Sequence, residues 1–397
     1  MSSSSQVRLA YIAETTYGLT PTGGNFETIR YNNEALSGTT VMTQSAEVRS
    51  DRQPTGSNLV GIDLGGTIPG NLAPTTWVND FVEAAMMDTW NVRITTGAAT
   101  VEVAATGSDY NLTRSAGDYT ADGFAVGDIV ELATGFATGN NHVFGEVLTA
   151  SATVLKVAAK AGLTTGAGSG DEVVYRHAYV EIGQDVTSFS IAKTFQDLTS
   201  KALSYRGMVV DSMTMDLQAR QDGTVSFAMM GGGTDPYVTD SDITTGRTVN
   251  AAESQSALNG SNNVGVIVVD GARVGYCVGG FNLQLNNNHT PQTCIGQLPP
   301  SAQNSGEASA TVGLNAYLSD ANFSLHTTKE QGGTLSISMP ITTSAGEGYA
   351  VALPAFKPDF PDAASGGKNQ QTMINISGTA QSTTTRNALR IYKVTQA

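Results

Sequence analysis

The chain has 397 residues, 40% of them apolar and 14% charged, with a formal net charge of −14 at pH 7. That is enough chain for two or three domains with cores of their own, and too apolar for disorder. It is also too acidic for a protein that grips nucleic acid or an anionic membrane through clustered Lys and Arg. Short Thr/Val/Ile runs between Gly, Ser and Asn turns are the composition of a mainly β protein, and so low a charge content implies a surface covered in part by other subunits.

The N-terminal stretch "MSSSSQVRLAYIAETTYG" has neither the basic nor the apolar region of a signal peptide. No run approaches the ~20 apolar residues of a membrane helix. A chain made and kept in a cytoplasm is expected to hold Cys277 and Cys294 reduced and to leave the sequons at Asn111 and Asn375 unmodified. The densest charge cluster is "VRSDRQPTG", Val48 to Gly56, where Arg49, Asp51 and Arg52 sit side by side. It reads either as a solvated turn or as an inter-subunit salt-bridge loop, since Arg pairs well with carboxylates at interfaces.

Ile62, Leu64, Gly66, Ile68, Gly70 and Leu72 then alternate, which predicts a half-buried strand. Thr75 and Thr76 offer a helix start, and Trp77, Phe81 and Ala84/Ala85 follow at helical spacing. Residues 91–176 break that pattern with short alternating strands between Gly and Asn turns, an inserted small β-domain. Strands resume at Phe189/Ile191, and a hairpin follows: Met213, Met215 and Leu217 alternate before the Asp222-Gly223 turn, Val225, Phe227 and Met229 after it.

Residues 231–270 are mostly polar and Gly-rich without periodicity, and a loop this long is expected to dock on something. It reads as an arm joining two halves and reaching a neighbouring subunit, with Asp235, Tyr237, Asp240 and Asp242 as candidate contacts. Beyond it the first pattern returns. Ala308, Ala310, Val312, Leu314, Ala316 and Leu318 alternate, Ser319 or Asp320 offers a cap, Phe323 is placed to play the part of Phe81, and Leu335, Ile337 and Met339 form the next strand. Strand, helix, strand and hairpin occur in both halves, the mark of an internal duplication.

Chemistry-bearing motifs are weak. "GAGSGD" runs into a strand where a phosphate site needs a helix N-terminus. "DYTADG" opens like a calcium loop but has Ile129 at the position of the bidentate Glu. His142, His177, His289 and His326 lack metal-ligand spacing and read as ordinary surface or interface histidines, and no nucleophile elbow occurs. No enzyme, metal or cofactor is expected.

Taken in order, "AETTYGLTPTGGNFETIRYNNEAL", "RSDRQ", "GGTIPGNLAPTTWVNDFVEAAMMDTW", "GFAVGDIVEL" and "YRGMVVDSMTMDLQ…GTVSFAMMG" resemble the tail tube (major tail) proteins of long-tailed bacteriophages with non-contractile tails. The resemblance implies a β-sandwich module with one flanking helix, and the duplication read above makes that two tandem modules in this chain, plus the inserted β-domain. The parts are a first module at 1–90 and 177–230, an outward-facing insertion at 91–176, a linker arm at 231–270 and a second module at 271–397. It implies a virion protein, made in the host bacterial cytoplasm, of which three chains close a ring with pseudo-sixfold symmetry. Rings would stack into a tube through which genomic DNA passes without specific binding, in company with tape measure and tail terminator or baseplate proteins. Strands within Gly61–Leu72, Ser212–Met229, Ser309–Leu318 and Thr334–Met339 are the candidates for lining it. The other reading weighed, an exported carbohydrate-binding or adhesin-like β-protein, calls for an export signal and an aromatic platform, whereas aromatic content is only 7%.

Overall fold

A computed structural model of the chain describes residues 3–48, 50–51, 53, 56–137, 139–199, 201–233, 237–239 (backbone only), 242–361 and 368–395. It is mainly β. In the first half, β1 (Val7–Ala13), β2 (Glu27–Ile29), β3 (Ser37–Gln44) and β4 (Ser57–Asn71) lead into α1 (Thr76–Met86). After an intervening sheet come β12 (Ala178–Glu181), β13 (Ser188–Phe195), β14 (Lys201–Gln218), β15 (Thr224–Gly231) and β16 (Tyr237–Thr239).

The helix buries Trp77, Val78, Phe81, Val82, Ala84 and Ala85, the stripe its 3.6-residue period sets. Thr75 occupies the N-cap position, yet its side chain makes no capping bond. The carboxylate of Glu253 does that work from the distant arm, accepting the Thr76 backbone N–H at 2.7 Å and its hydroxyl at 2.7 Å. The acidic group also suits the positive end of the helix. Phe81 lies at the centre of an aromatic cluster, with ring centroids 5.0 Å from Tyr11, 4.9 Å from Phe189 and 5.4 Å from Phe227.

The intervening sheet comprises β5 (Ile94–Thr95), β6 (Val101–Thr106), β7 (Asp109–Arg114), β8 (Ile129–Thr134), β9 (Val143–Ala150), β10 (Val154–Ala159) and β11 (Val173–Arg176). Its strand order is β5-β11-β8-β9-β10-β7-β6. It has a separate core around Leu112, Tyr119, Val130, Leu132, Leu155 and Val174.

The second half contains β17 (Val268–Val269), β18 (Ala272–Arg273), β19 (Val278–Asn286), β20 (Thr290–Gln292), β21 (Ala302–Asn304) and β22 (Ser309–Tyr317). Then come α2 (Asp320–Phe323), α3 (Leu325–Glu330), β23 (Leu335–Thr342), β24 (Gly348–Asp359), β25 (Met373–Ala380) and β26 (Arg390–Val394). In the first half the hydrogen-bonded strand order is β3–β4–β15–β14–β13–β1. In the second it is β19–β22–β25–β24–β23–β17. In both, a helix follows the second strand of that order. One irregularity is shared: the register shifts between Phe189 and Ile191 on β13, and between Leu335 and Ile337 on β23, whereas the shift between Val210 and Ser212 on β14 has no counterpart on β24. A bulge is a local device that re-aims a strand, so a matched pair is more specific than matched strand order.

The helices are where the halves differ. Ser319, one of the two caps the sequence offers, stands at the N-cap position of α2, and its backbone N–H donates to Asn322 Oδ1 at 2.8 Å. The helical segment then breaks at Ser324, and Phe323 is 62% exposed while Leu325 is buried. Phe323 therefore does not take the part of Phe81; the break turns it outward against His326. Phe81→Ala should cost about 3–5 kcal/mol by leaving an unfilled volume among four rings, against about 0.5 kcal/mol or less for Phe323→Ala. Thermal unfolding of the two variants side by side checks this.

Candidate assembly surfaces

The halves join through main-chain pairing. The C-terminal part of β14 pairs with β19 from Ser212–Asn286 to Gln218–Gly280. One antiparallel run, β4–β15–β14–β19–β22–β25, therefore crosses both halves. Because side chains alternate, one face of this run buries Ile68, Phe227, Met213, Leu283, Val312 and Ile376. The other face presents Asp63, Thr67, Ser226, Thr214, Asp216, Asn282, Gln284, Thr311, Asn315, Asn375 and Ser377. Among its described residues that polar face holds no Lys, Arg or His, and its two carboxylates make it negative. Three of the four candidate lining segments fall in this run; Thr334–Met339 pairs instead with β24 and β17.

At one end of the run stands the β3–β4 hairpin. Every residue of β3 is exposed, and among the described residues it pairs with β4 alone. Val41, Met42, Leu59 and Val60 leave apolar surface open along this hairpin. An unprotected apolar edge is a pairing site unless something covers it.

The intervening sheet is tied to the body by buried polar contacts. Asp128, fully buried, accepts from Arg390 Nη1 at 2.5 Å and from the Tyr392 hydroxyl at 3.3 Å. Arg390 also donates to Glu181 through Nε at 2.8 Å and Nη2 at 2.5 Å, with its guanidinium 3.8 Å from the Tyr179 ring centroid. Glu131 lies between two imidazoles, His142 Nδ1 at 2.8 Å and His177 Nε2 at 2.5 Å.

Glu146 on β9 accepts from the Ser338 hydroxyl of β23 at 2.6 Å. Burial pushes the Glu146 carboxyl above its ordinary value, while the Ser338 hydrogen bond and Arg386 pull the other way. A raised carboxyl favours the folded state while protonated, and that contribution fades as pH rises through the raised value. Glu146→Gln is accordingly expected to melt higher than the parent at pH 7 and to lose the parent's gain in Tm on mild acidification. Melting curves over that range decide it.

The sequence-predicted site residues are not gathered in one place. Arg49, Arg52, Asp235 and Asp240 lie outside the described residues. Asp51 is exposed in the β3–β4 connection and accepts the Gln53 backbone N–H at 3.2 Å. Tyr237 begins β16, which pairs with Leu203–Tyr205. Asp242 is engaged within its own chain, by Thr244 at 2.7 Å and Thr194 at 3.0 Å, with Arg8 3.9 Å away. The described arm packs along the first half as far as Leu258, which is fully buried, with Phe26 and Val249 forming a bridge, and from Asn263 onward it pairs with β23 of the second half.

Two histidines depart from the surface reading. His177 and His289 are buried, the first against Glu131 and the second beside Asp211, because carboxylates give each a partner inside. Asp118 Oδ1 instead accepts local bonds from Thr120 and Ala121, and Asp122 pairs with Arg114 at 2.6 Å. The Gly166–Asp171 turn folds round Glu172, which takes the Ser169 and Gly170 backbone N–H groups. Among the described residues no three His, Cys, Asp or Glu converge as a metal site, and no helix is long and apolar enough to cross a membrane.

The sequence matches the family described as phage tail tube protein over residues 4–380. No curated protein matches the chain.

Proposed function

The chain belongs to the phage tail tube protein family, a structural component of the virion tail that assembles with itself into a tube, and from that premise we propose how the tube is built and used. Each chain supplies two modules of like topology, at 1–90 with 177–230 and at 271–397, joined by the arm at 231–270. Three chains close a ring with pseudo-sixfold symmetry, a head-to-tail contact whose rotation closes. Rings stack into a conduit for the genome, alongside tape measure and terminator or baseplate proteins. The inserted domain, 91–176, faces outward, where it leaves the bore clear.

The observation that carries this reading is the cation-free polar face spanning both halves. Phosphate binding needs cations and releases counterions as it forms. A face of hydroxyls, amides and carboxylates gives a passing polyanion nothing to adhere to, and its negative potential holds the strand off the wall. We assign that face to the lumen. Arg49, Asp51 and Arg52 in the β3–β4 connection are assigned to subunit contacts, as are Asp235, Tyr237, Asp240 and Asp242.

Electron micrographs of the purified protein should show rings or tubes of uniform bore, and the mass of one ring should equal three chains. Six chains per ring would refute the two-module count and keep the tube; a monomer at high concentration would refute both.

A further inference from the structure

The matched strand orders allow residues to be equated between halves. Asn71 pairs with Thr224, and Tyr317 with Met373, at the two strand ends that lead into the helices. Counting along both ladders from these pairs, Ala228 corresponds to Ser377, and their partners Ser212 and Asp359 therefore correspond. Counting back the same way, Asp63 corresponds to Ser309, so their partners Thr39 and Asn286 correspond. The junction pair inside the chain, Ser212–Asn286, thus has a counterpart made of Asp359 and Thr39. Those two residues are exposed, on edges that pair with no described strand at that point.

Two cavities, compared through that correspondence, bear on the same point. One, of about 50 Å³, is lined by Val264, Phe281 and Met339 of the second half and closed by Leu217, Gln218 and Ala219 from the end of β14. The other, of about 1000 Å³, is lined by Val7, Glu34 and Lys193, with Tyr31 and Trp77. By the correspondence above, Lys193 stands for Met339 and Glu34 for Phe281. Val7 stands for Val264, since Val7 pairs with Phe195 as Val264 bridges Ile341. The two are the same socket. In one the preceding module's strand end sits; in the other that strand end is missing, and the Glu34–Lys193 ion pair lines the opening.

We propose that the large cavity and the free edge of β3 form the socket for a second copy of this chain, which enters by the C-terminal end of its β24 and pairs Asp359 with Thr39. This rests on the ring reading and fixes its geometry: the β14–β19 junction is built into the chain, and the junction between chains repeats it. The β3–β4 hairpin then occupies the place of the β20–β21 hairpin. The latter folds back on the first half, where Gln303 donates to the Gly231 carbonyl at 3.1 Å and Gly233 to that of Pro300 at 2.7 Å. An equivalent fold-back onto the partner covers Val41, Met42, Leu59 and Val60.

The test is disulfide trapping in a Cys277→Ser/Cys294→Ser background. Thr39→Cys with Asp359→Cys should give species of two and three chains on non-reducing gels, at least tenfold above either single cysteine. Ser212→Cys with Asn286→Cys should close within one chain. Ser37→Cys with Pro361→Cys, one ladder step away, repeats the test should the first pair disturb assembly. Rings visible by microscopy with neither pair trapped would overturn the socket while leaving the ring. A monomer with no trapping would overturn the ring and the socket with it.

Discussion

Arg390→Ala is expected to destabilise the protein by about 3–5 kcal/mol, the cost of removing one partner from a buried ion pair. Asp128 is fully buried and its closest cation is Arg390, 2.5 Å away; Arg386 at 3.4 Å and Arg176 at 3.9 Å approach it less closely. Truncation also frees Glu181 from a guanidinium that grips it through two nitrogens and removes the closer of the two cations over Tyr179, leaving Arg176 at 4.9 Å. Arg390→Lys should recover little, because an ammonium offers neither the planar fork nor the stacking surface. The residues involved come from the loop before β8, from β12 and from β26, so the loss should loosen the inserted sheet from the body. Thermal unfolding should show a large drop in Tm, and limited proteolysis should begin cutting near 91 and 176. A Tm change no larger than that of Phe323→Ala would show that the network carries little of the attachment.

How far the sequence revealed this fold depends on which period each residue obeys. Period two is readable wherever one sheet face is buried and the other open: β15, β22, the second half of β14 and the C-terminal part of β4 bury the alternating residues that the sequence marks, while the exposed start of β4, Ser57–Val60, carries no such signal. The first part of β14 is not readable in this way, since Ala202, Ser204, Tyr205, Gly207, Met208, Val209 and Val210 are all buried and no alternation remains. A strand covered on both faces looks like any apolar run. Alternation also names a face and never a partner, so nothing in the sequence placed β14 beside β19. Phe323 illustrates the weakness of short helical patterns: over one turn, a Phe and a Leu two residues apart compete for the inward direction, and the break at Ser324 decides for Leu325. The arm lacked periodicity because its contacts are individual ones, Glu253 on a helix start and Leu258 in the core. His177 and Glu131 are 46 residues apart, and only the fold makes them a buried pair.

The second large effect concerns the polar face. Gln284→Lys with Asn375→Lys places two cations on it at exposed positions of β19 and β25, where the cost to folding is expected within about 0.5 kcal/mol for each. Tubes should therefore form with unchanged dimensions. Their interior, however, would carry two added cations per chain, repeated round every ring and along every stack. Each cation that neutralises a phosphate releases a counterion, and affinity for DNA multiplies with the number of such contacts and falls steeply with salt. With this face assigned to the lumen, the added lysines offset its two carboxylates and give phosphates cations to bind. Phage carrying the double substitution should assemble normally and lose infectivity by about tenfold or more, and its isolated tubes should retain DNA at low salt and release it as salt rises. Gln284→Glu with Asn375→Asp keeps the sign of the face and should leave infectivity near that of the parent, which separates charge from any effect of altered shape. Lysine-bearing tubes that neither retain DNA nor impair infection would mean that this face does not line the bore, and the lumen would then have to be sought on another surface of the ring.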